Sequence, residues 1–465
     1  MKARKGDRRL VGAGKQAAGT AVLVVALTAC GGGRGADPGT PEPNGLPSVS
    51  GLASGGGNVP PPPTDPGHPK DPTHPTDPGD PGDPQPAPAD FRINLTTAGD
   101  QGFAAGAALP GGGLVAVWTS TPDGAERGDV RLKRFDDQGR PASTEIIVAA
   151  QGESPDVVAL AGGGFLATWT ARVADDEVNG YVQRFDADGV PVGGPVRVGT
   201  ASNEFVARPL AMPDGSFVLA IDTSELGGPK TGLVARFTAD GSPTGTSVQL
   251  VSDVSPPVGS FDPNFVLGTV AAGWPDGRFA VAWIAGGLVT NELRLTRFDS
   301  QGQMVGTEVL ASDVSLREPT LAVLGGGQLA IAWVSGVTDG PKTVFLEVFG
   351  ADGASLGRQV VALNVSATTV VPRLAPLADG GFVLALKFTA YGNQTVRRST
   401  AAGRFDATGQ QSGVFEEIST VSAPTGSPVP DHDSIDVIGG GAGEYVVFHG
   451  SHSQESGWDV RGARR

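Results

Sequence analysis

Cysteine is nearly absent from this chain: Cys30 is the only one in 465 residues. Past residue 30 there is therefore no disulfide, no thiolate metal ligand and no thiol nucleophile. Long apolar runs are missing too. The longest near the N-terminus, residues 18–27, is too short to span a bilayer. Positive charge is scarce, with 34 Lys and Arg against 49 Asp and Glu and a formal net charge of −15. Residues 1–29 hold six of the bases and one of the acids, so the remainder carries 28 against 48, a net of −20. A field of that sign repels nucleic acid and anionic lipid, which excludes phosphate-backbone binding as the main role. No Gly-x-Ser-x-Gly elbow, Gly-Lys-Ser/Thr phosphate loop or His-Glu-x-x-His helix occurs.

What the chain has in excess is glycine, 71 residues, and proline, 38 residues. Without a three-residue Gly period, that excess predicts many tight turns between short strands together with some linker. The first 29 residues carry Lys2, Arg4, Lys5, Arg8, Arg9 and Lys15, then the apolar run, then Leu27-Thr28-Ala29-Cys30. Small residues before a cysteine behind a short apolar run read as a secretory signal. Leu-Thr-Ala-Cys resembles the lipobox of bacterial lipoprotein signal peptides at all four positions. The resemblance implies cleavage before Cys30, acylation of its thiol, and a membrane-anchored protein of the bacterial cell envelope, in the outer membrane if the host has one.

Residues 30–90 hold almost no large apolar side chains, so they cannot bury enough surface to offset the entropy of ordering. From Pro60 to Pro84 a proline falls at every third position. That period matches polyproline II and predicts a semi-rigid stalk, roughly 80 Å long at about 3.1 Å per residue.

From residue 91 to the C-terminus a unit recurs. It comprises a short apolar run, a glycine turn, a second apolar run, a variable loop, a third run ending Arg-Phe, an Asp-x-x-Gly turn and a fourth run. The second runs read LVAVW, FLATW, FVLAI, FAVAW, LAIAW, FVLAL and YVVFH, spaced by 50 to 63 residues. Apolar side chains on both faces predict strands buried on both sides. The seventh unit stops after its third run, and Phe91-Arg92-Ile93-Asn94-Leu95-Thr96-Thr97 ahead of the first unit has the pattern of a fourth strand. One N-terminal strand therefore completes the last unit and closes a ring, which leaves only short edges exposed. The repeats resemble those of β-propellers found in uncharacterised bacterial secreted proteins and lipoproteins, with Pro-Asp-Gly-Gly-Phe and Arg-Phe-Asp-x-x-Gly signatures. The expectation is an all-β, seven-bladed propeller of four-stranded antiparallel blades over residues 91–465. WD-repeat and quinoprotein blade signatures do not recur, so no cofactor is implied.

Two positions that recur in the units invite functional readings. Asp186-x-Asp188-Gly189 suggests calcium, but a calcium loop needs more oxygen ligands than this run supplies, and Asp and Gly suit a tight turn. The arginines 134, 184, 236, 297, 404 and 464 suggest anion sites, but a residue repeated in nearly every blade reads first as a tie between blades. The cluster that does not repeat lies in the last unit: Asp431, His432 and Asp433 before its first strand, and His449 and His452 at the end of its second. In a ring both segments reach the same upper face, as metal ligands or an acid/base set. His449 also occupies the register of Trp118 and Trp169, which reads as core. With no other catalytic pattern, the expectation is a binding or scaffolding lipoprotein that takes a protein or glycan ligand on its upper loops; the alternative is an envelope hydrolase or lyase using the last-blade cluster.

Overall fold

The computed structural model describes residues 21–25 and 90–465, apart from 175–176, 200–202, 207–208, 225–229, 245–246, 251–267, 287–290, 337–340, 364–366, 392–394, 425–434, 441–442 and 454–456. Every regular element among the described residues is a strand. The chain forms a seven-bladed β-propeller of four-stranded antiparallel blades, spanning residues 100–149, 152–197, 203–250, 270–313, 317–363, 367–424 and 435–464. In blade three the first strand is split, and its first part, Asn203–Val206, also pairs with Glu177–Phe185 of blade two. Ala21–Val25 runs parallel to Ser355–Leu363, the fourth strand of blade five. Residues 1–20 and 26–29 of the expected signal, Cys30 and the proline-rich segment lie outside the described residues.

The second strands form the core. Residues 114–118, 165–169, 217–221, 279–283, 329–333, 382–386 and 445–449 are all buried. Alternate side chains of a strand point to opposite faces, and each blade has a neighbour on both, so both faces are covered by apolar surface. In four blades the Phe that opens strand two stacks on the Phe that ends strand three, with centroids 5.1 Å apart for Phe165–Phe185, 5.0 Å for Phe217–Phe237, 4.5 Å for Phe279–Phe298 and 5.2 Å for Phe382–Phe405. Such cross-strand aromatic pairs add to the stabilisation from burial itself.

The Asp-x-x-Gly segments are turns. Asp186 accepts hydrogen bonds at one carboxylate oxygen from the amides of Asp188 (2.9 Å) and Val190 (2.8 Å), and Gly189 takes a positive φ of 81°. The same pattern recurs at Asp136, Asp299 and Asp406. The strand-three arginines reach these turns on the next blade. Arg184 donates to the carbonyl of Ala239 at 2.5 Å, Arg236 to that of Ser300 at 2.9 Å and Arg464 to that of Asp137 at 2.6 Å, while Arg134 pairs with Asp188 at 3.7 Å. Fixed guanidinium forks suit this tie between sheets that share no backbone hydrogen bonds there.

The ring closes as its truncated repeat requires. Asp90–Arg92 pairs with the last strand, Gly457–Arg464, in the register Asp90↔Ala463, Phe91↔Gly462 and Arg92↔Arg461. The amide of Ile93 continues the ladder onto the carbonyl of Val460 at 2.9 Å, and Asn94 bonds both Asp459 (2.7 Å) and the Val460 amide (2.9 Å).

The variable loop expected between the second and third runs is largely ladder in two blades. In blade two, Phe165–Ala174 pairs with Glu177–Phe185 almost to the tip, so most of residues 170–180 is strand. In blade six, Phe382–Tyr391 and Thr395–Phe405 do the same. The sequence hid this because polar, β-branched stretches such as Thr170-Ala171-Arg172-Val173 lack the apolar run that marks the buried halves of the same strands.

Candidate functional site

His449 ends the apolar part of strand Tyr445–Ser453, opposite Ile435 and Arg461. It is 2% exposed, and its Nε2 has no hydrogen-bond partner. Tyr445 and Val447 pack against Val383 and Ala385 of blade six. Side chains two apart share a face, so His449 also faces blade six. Burial lowers its pKa from the ordinary 6.5, while the Gly450 carbonyl and the charge of Asp90 oppose the shift and Arg461 and Arg465 add to it. At neutral pH the imidazole is therefore uncharged.

His452 lies three residues on, exposed, with its ring set edge-on against Trp458 at 5.2 Å. Asp431, His432 and Asp433 fall in residues 425–434, outside the described residues. Among the described residues no group of three or more His, Cys, Asp or Glu side chains comes together as a metal site.

The lowered pKa makes stability depend on pH. The unfolded chain takes up a proton at His449 near pH 6.5, and the folded chain does so only at lower pH. The stability linked to this residue is therefore whole above 6.5 and is lost as pH falls toward the folded value. Leucine, which blade six carries at this register as Leu386, has no such cost. His449→Leu is expected to retain more of its neutral-pH stability at pH 5 than the wild type does, read from urea midpoints at both values. An identical loss in the two proteins would refute the buried neutral imidazole.

The same junction holds side chains that sequence reasoning did not single out. Between the upper ends of blades six and seven lies a crevice of about 20 Å³, lined by Lys387, Arg398, Thr400, Ser419, Gly450 and Trp458, among others. Lys387 alternates with Val383 and Ala385 along its strand, which turns it toward blade seven. Trp458 is 4% exposed, and its indole Nε1 has no hydrogen-bond partner. Among the described residues lining the crevice, none is acidic. Its volume admits one water or one ligand oxygen. Two cationic residues around such a space suit an oxygen that carries or develops negative charge. One local signal was available: after the apolar run of strand two, blade six carries Lys387 where the other blades carry Thr119, Thr170, Asp222, Ile284, Val334 and Gly450. Trp458 gave no such signal, because its relation to Lys387 exists only across two blades.

No sequence-family model and no curated protein matches this chain. Among solved structures it is similar to a protein of unknown function from Dyadobacter fermentans, with TM-score 0.46, 12% identity, and 72% of this chain and 98% of that one covered. It is also similar to a puromycin hydrolase, at TM-score 0.45 and 17% identity over 81% of this chain, and spans about half (54%) of that enzyme's length. A third is an α-L-arabinofuranosidase of Fusarium graminearum in complex with an iminosugar inhibitor, at TM-score 0.43 and 12% identity, covering 72% of this chain and 98% of that one. The expectation was a non-catalytic binding or scaffolding lipoprotein; two of these three structures are instead of hydrolases, the class of the alternative reading. At these identities the likeness is one of fold, and no substrate or residue role passes from those proteins to this chain.

Proposed function

We propose that this protein is a cell-envelope hydrolase that cleaves an acyl bond, ester or amide, at the upper junction of blades six and seven. The observation that carries the reading is the crevice of single-oxygen size bordered by Lys387, Arg398 and Trp458, whose lining among the described residues includes no acidic side chain. A carbonyl oxygen seated there becomes negative only as the tetrahedral intermediate forms, and donors aimed at that charge lower the barrier rather than merely tightening binding. Exposed His452 supplies the general base for an attacking water and the acid for the leaving group, and His432 with Asp431 are assigned to the same work on the sequence alone. Buried His449 has a supporting role, uncharged and packed between the blades. The net charge of −20 on the part after the signal disfavours polyanionic substrates, so the acyl group is carried on a neutral or cationic molecule, such as an esterified neutral polysaccharide or a peptide.

Removing one oxyanion donor typically costs about 10²–10³ in kcat. The test is a panel of acetylated polysaccharides, simple esters and peptides, assayed with wild type, Lys387→Ala and His432→Ala. Turnover of at least one substrate is expected, with losses of about 100-fold in each variant. No turnover on any of them, or turnover indifferent to both substitutions, would sink the proposal.

The address rests on the lipobox resemblance. Cys30 carries lipid and tethers the propeller to the envelope membrane through the stalk. Fatty-acid labelling is expected to disappear in Cys30→Ser; persistent label would count against the anchor.

A further inference from the structure

The arginine tie between blades fails at one junction where both of its parts are present. Arg297 ends strand three of blade four as Arg236 does in blade three, and the next blade offers the turn Gly350-Ala351-Asp352-Gly353. Arg297 does not reach it. Its Nη1 bonds Glu308 of its own blade, its guanidinium lies over the Phe349 ring at 5.5 Å, and its Nη2 is buried without a partner. Beside it stands a second departure from the repeat. The residue that opens the first hairpin is Leu109, Leu160, Met212, Leu324 and Leu377 in five blades and Gly440 in the last, but Trp274 in blade four. Trp274 donates its indole N–H to the Gly327 carbonyl at 2.8 Å, and Arg278 stacks on its ring at 5.4 Å.

Together these changes open a cavity of about 300 Å³ on the lower face, walled by Trp274, Arg278, Arg297, Phe349, Asp352 and the backbone of the turn. That is the size of a small-molecule site. We propose that this cavity binds one neutral sugar ring, the terminal residue of an uncharged glycan. The half-buried indole of Trp274 offers a flat apolar surface for the carbon face of a pyranose. The exposed Arg278 guanidinium and Asp352 carboxylate supply a donor and an acceptor for its hydroxyls. Neutral rather than acidic sugar follows from charge. Arg278 is paired with Asp276 at 2.7 Å and Arg297 with Glu308, so the pocket holds no uncompensated cation, in a protein that is acidic throughout. This site lies on the face opposite the blade-six/seven crevice and is independent of it.

The experiment is a titration of the purified full chain with the methyl glycosides of glucose, galactose and N-acetylglucosamine, and with glucuronic acid, followed by ligand-observed NMR. Two variants accompany it: Trp274→Leu, which restores the residue of most other blades, and Ala351→Phe, at an exposed turn position that fills the mouth. Saturable binding of at least one neutral glycoside is expected, weakened tenfold or more in both variants, with glucuronic acid at least tenfold weaker than the best neutral ligand. Absence of binding by all three neutral glycosides, binding that survives both substitutions, or preference for the acid would each overturn the assignment.

Discussion

Deletion of residues 90–96 is expected to lower the melting temperature of the propeller by roughly 10 °C or more while leaving the other six blades paired. The closing segment contributes Phe91, 7% exposed, and Ile93, 0% exposed, to a cluster that includes Leu114, Trp118 and Phe135 of blade one and Val446, Phe448 and Val460 of blade seven. Each such burial is worth about 1.5–3 kcal/mol. Polar contacts go with them. Buried Asp459 loses the Asn94 amide and the Arg92 guanidinium at 3.0 Å, and Glu145 loses the amides of Leu95 and Thr96 and the Thr96 hydroxyl. Stranding such groups costs about 1–3 kcal/mol each. A kilocalorie moves the midpoint by about 2 °C or less in a domain this large, which gives the stated scale. The measurement is calorimetry on the deletion, with Asn94→Ala as a milder companion expected to fall between. A deletion that melts with the wild type would mean that closure by this strand contributes nothing.

The second large effect is expected from adding a single carbon. Gly106 sits in Asp100–Ala108, the innermost strand of blade one, in the run Ala104-Ala105-Gly106-Ala107-Ala108. A Cβ there would stand 2.2 Å from the ring of Phe448, which is fully buried in blade seven. The Gly106 amide is also held at 2.9 Å by the carboxylate of buried Asp436, so the strand cannot slide outward without breaking an inter-blade bond. Leu374 and Thr320 make an equivalent contact between blades five and six at 3.3 Å. Overpacking of this kind costs about 1–3 kcal/mol, and more where the backbone is pinned. Gly106→Ala is expected to lower stability by about 3 kcal/mol in urea, and Phe448→Leu to recover part of the loss when combined with it. Additive effects of the two substitutions would contradict the contact.

The two positions differ in how far the sequence exposes them. Phe91 was legible: a unit that stops one strand short needs a partner, and a seven-residue stretch with the right pattern stands ahead of the first unit. The turn at Asp186 and the register of His449 were legible for the same reason, since each can be laid against its relatives. Gly106 was not. Within an alanine-rich run nothing distinguishes a glycine that a ring presses upon from one in open space. Lys387 shows as one odd letter after an apolar run, while Trp458 and Ser419, which share its crevice, carry no mark of their association. The failed tie at Arg297 is a similar case, because the residue itself is present as in the other blades and only its partner has changed.

By itself the sequence determined the strands, their two-sided burial, the tight turns, the number of units and the way the ring closes. Those features depend on alternation along a strand, on glycine and aspartate at fixed turn positions, and on repetition, all of which are local. Only the tertiary structure decided which face His449 turns to, that Lys387 and Trp458 border one oxygen-sized space, that Gly106 has no room for a methyl group, and that blades four and five part to leave a cavity. These depend on how neighbouring blades pack against each other. That packing comes from side-chain volumes summed across sheets up to several hundred residues apart in the chain, and no local pattern records it.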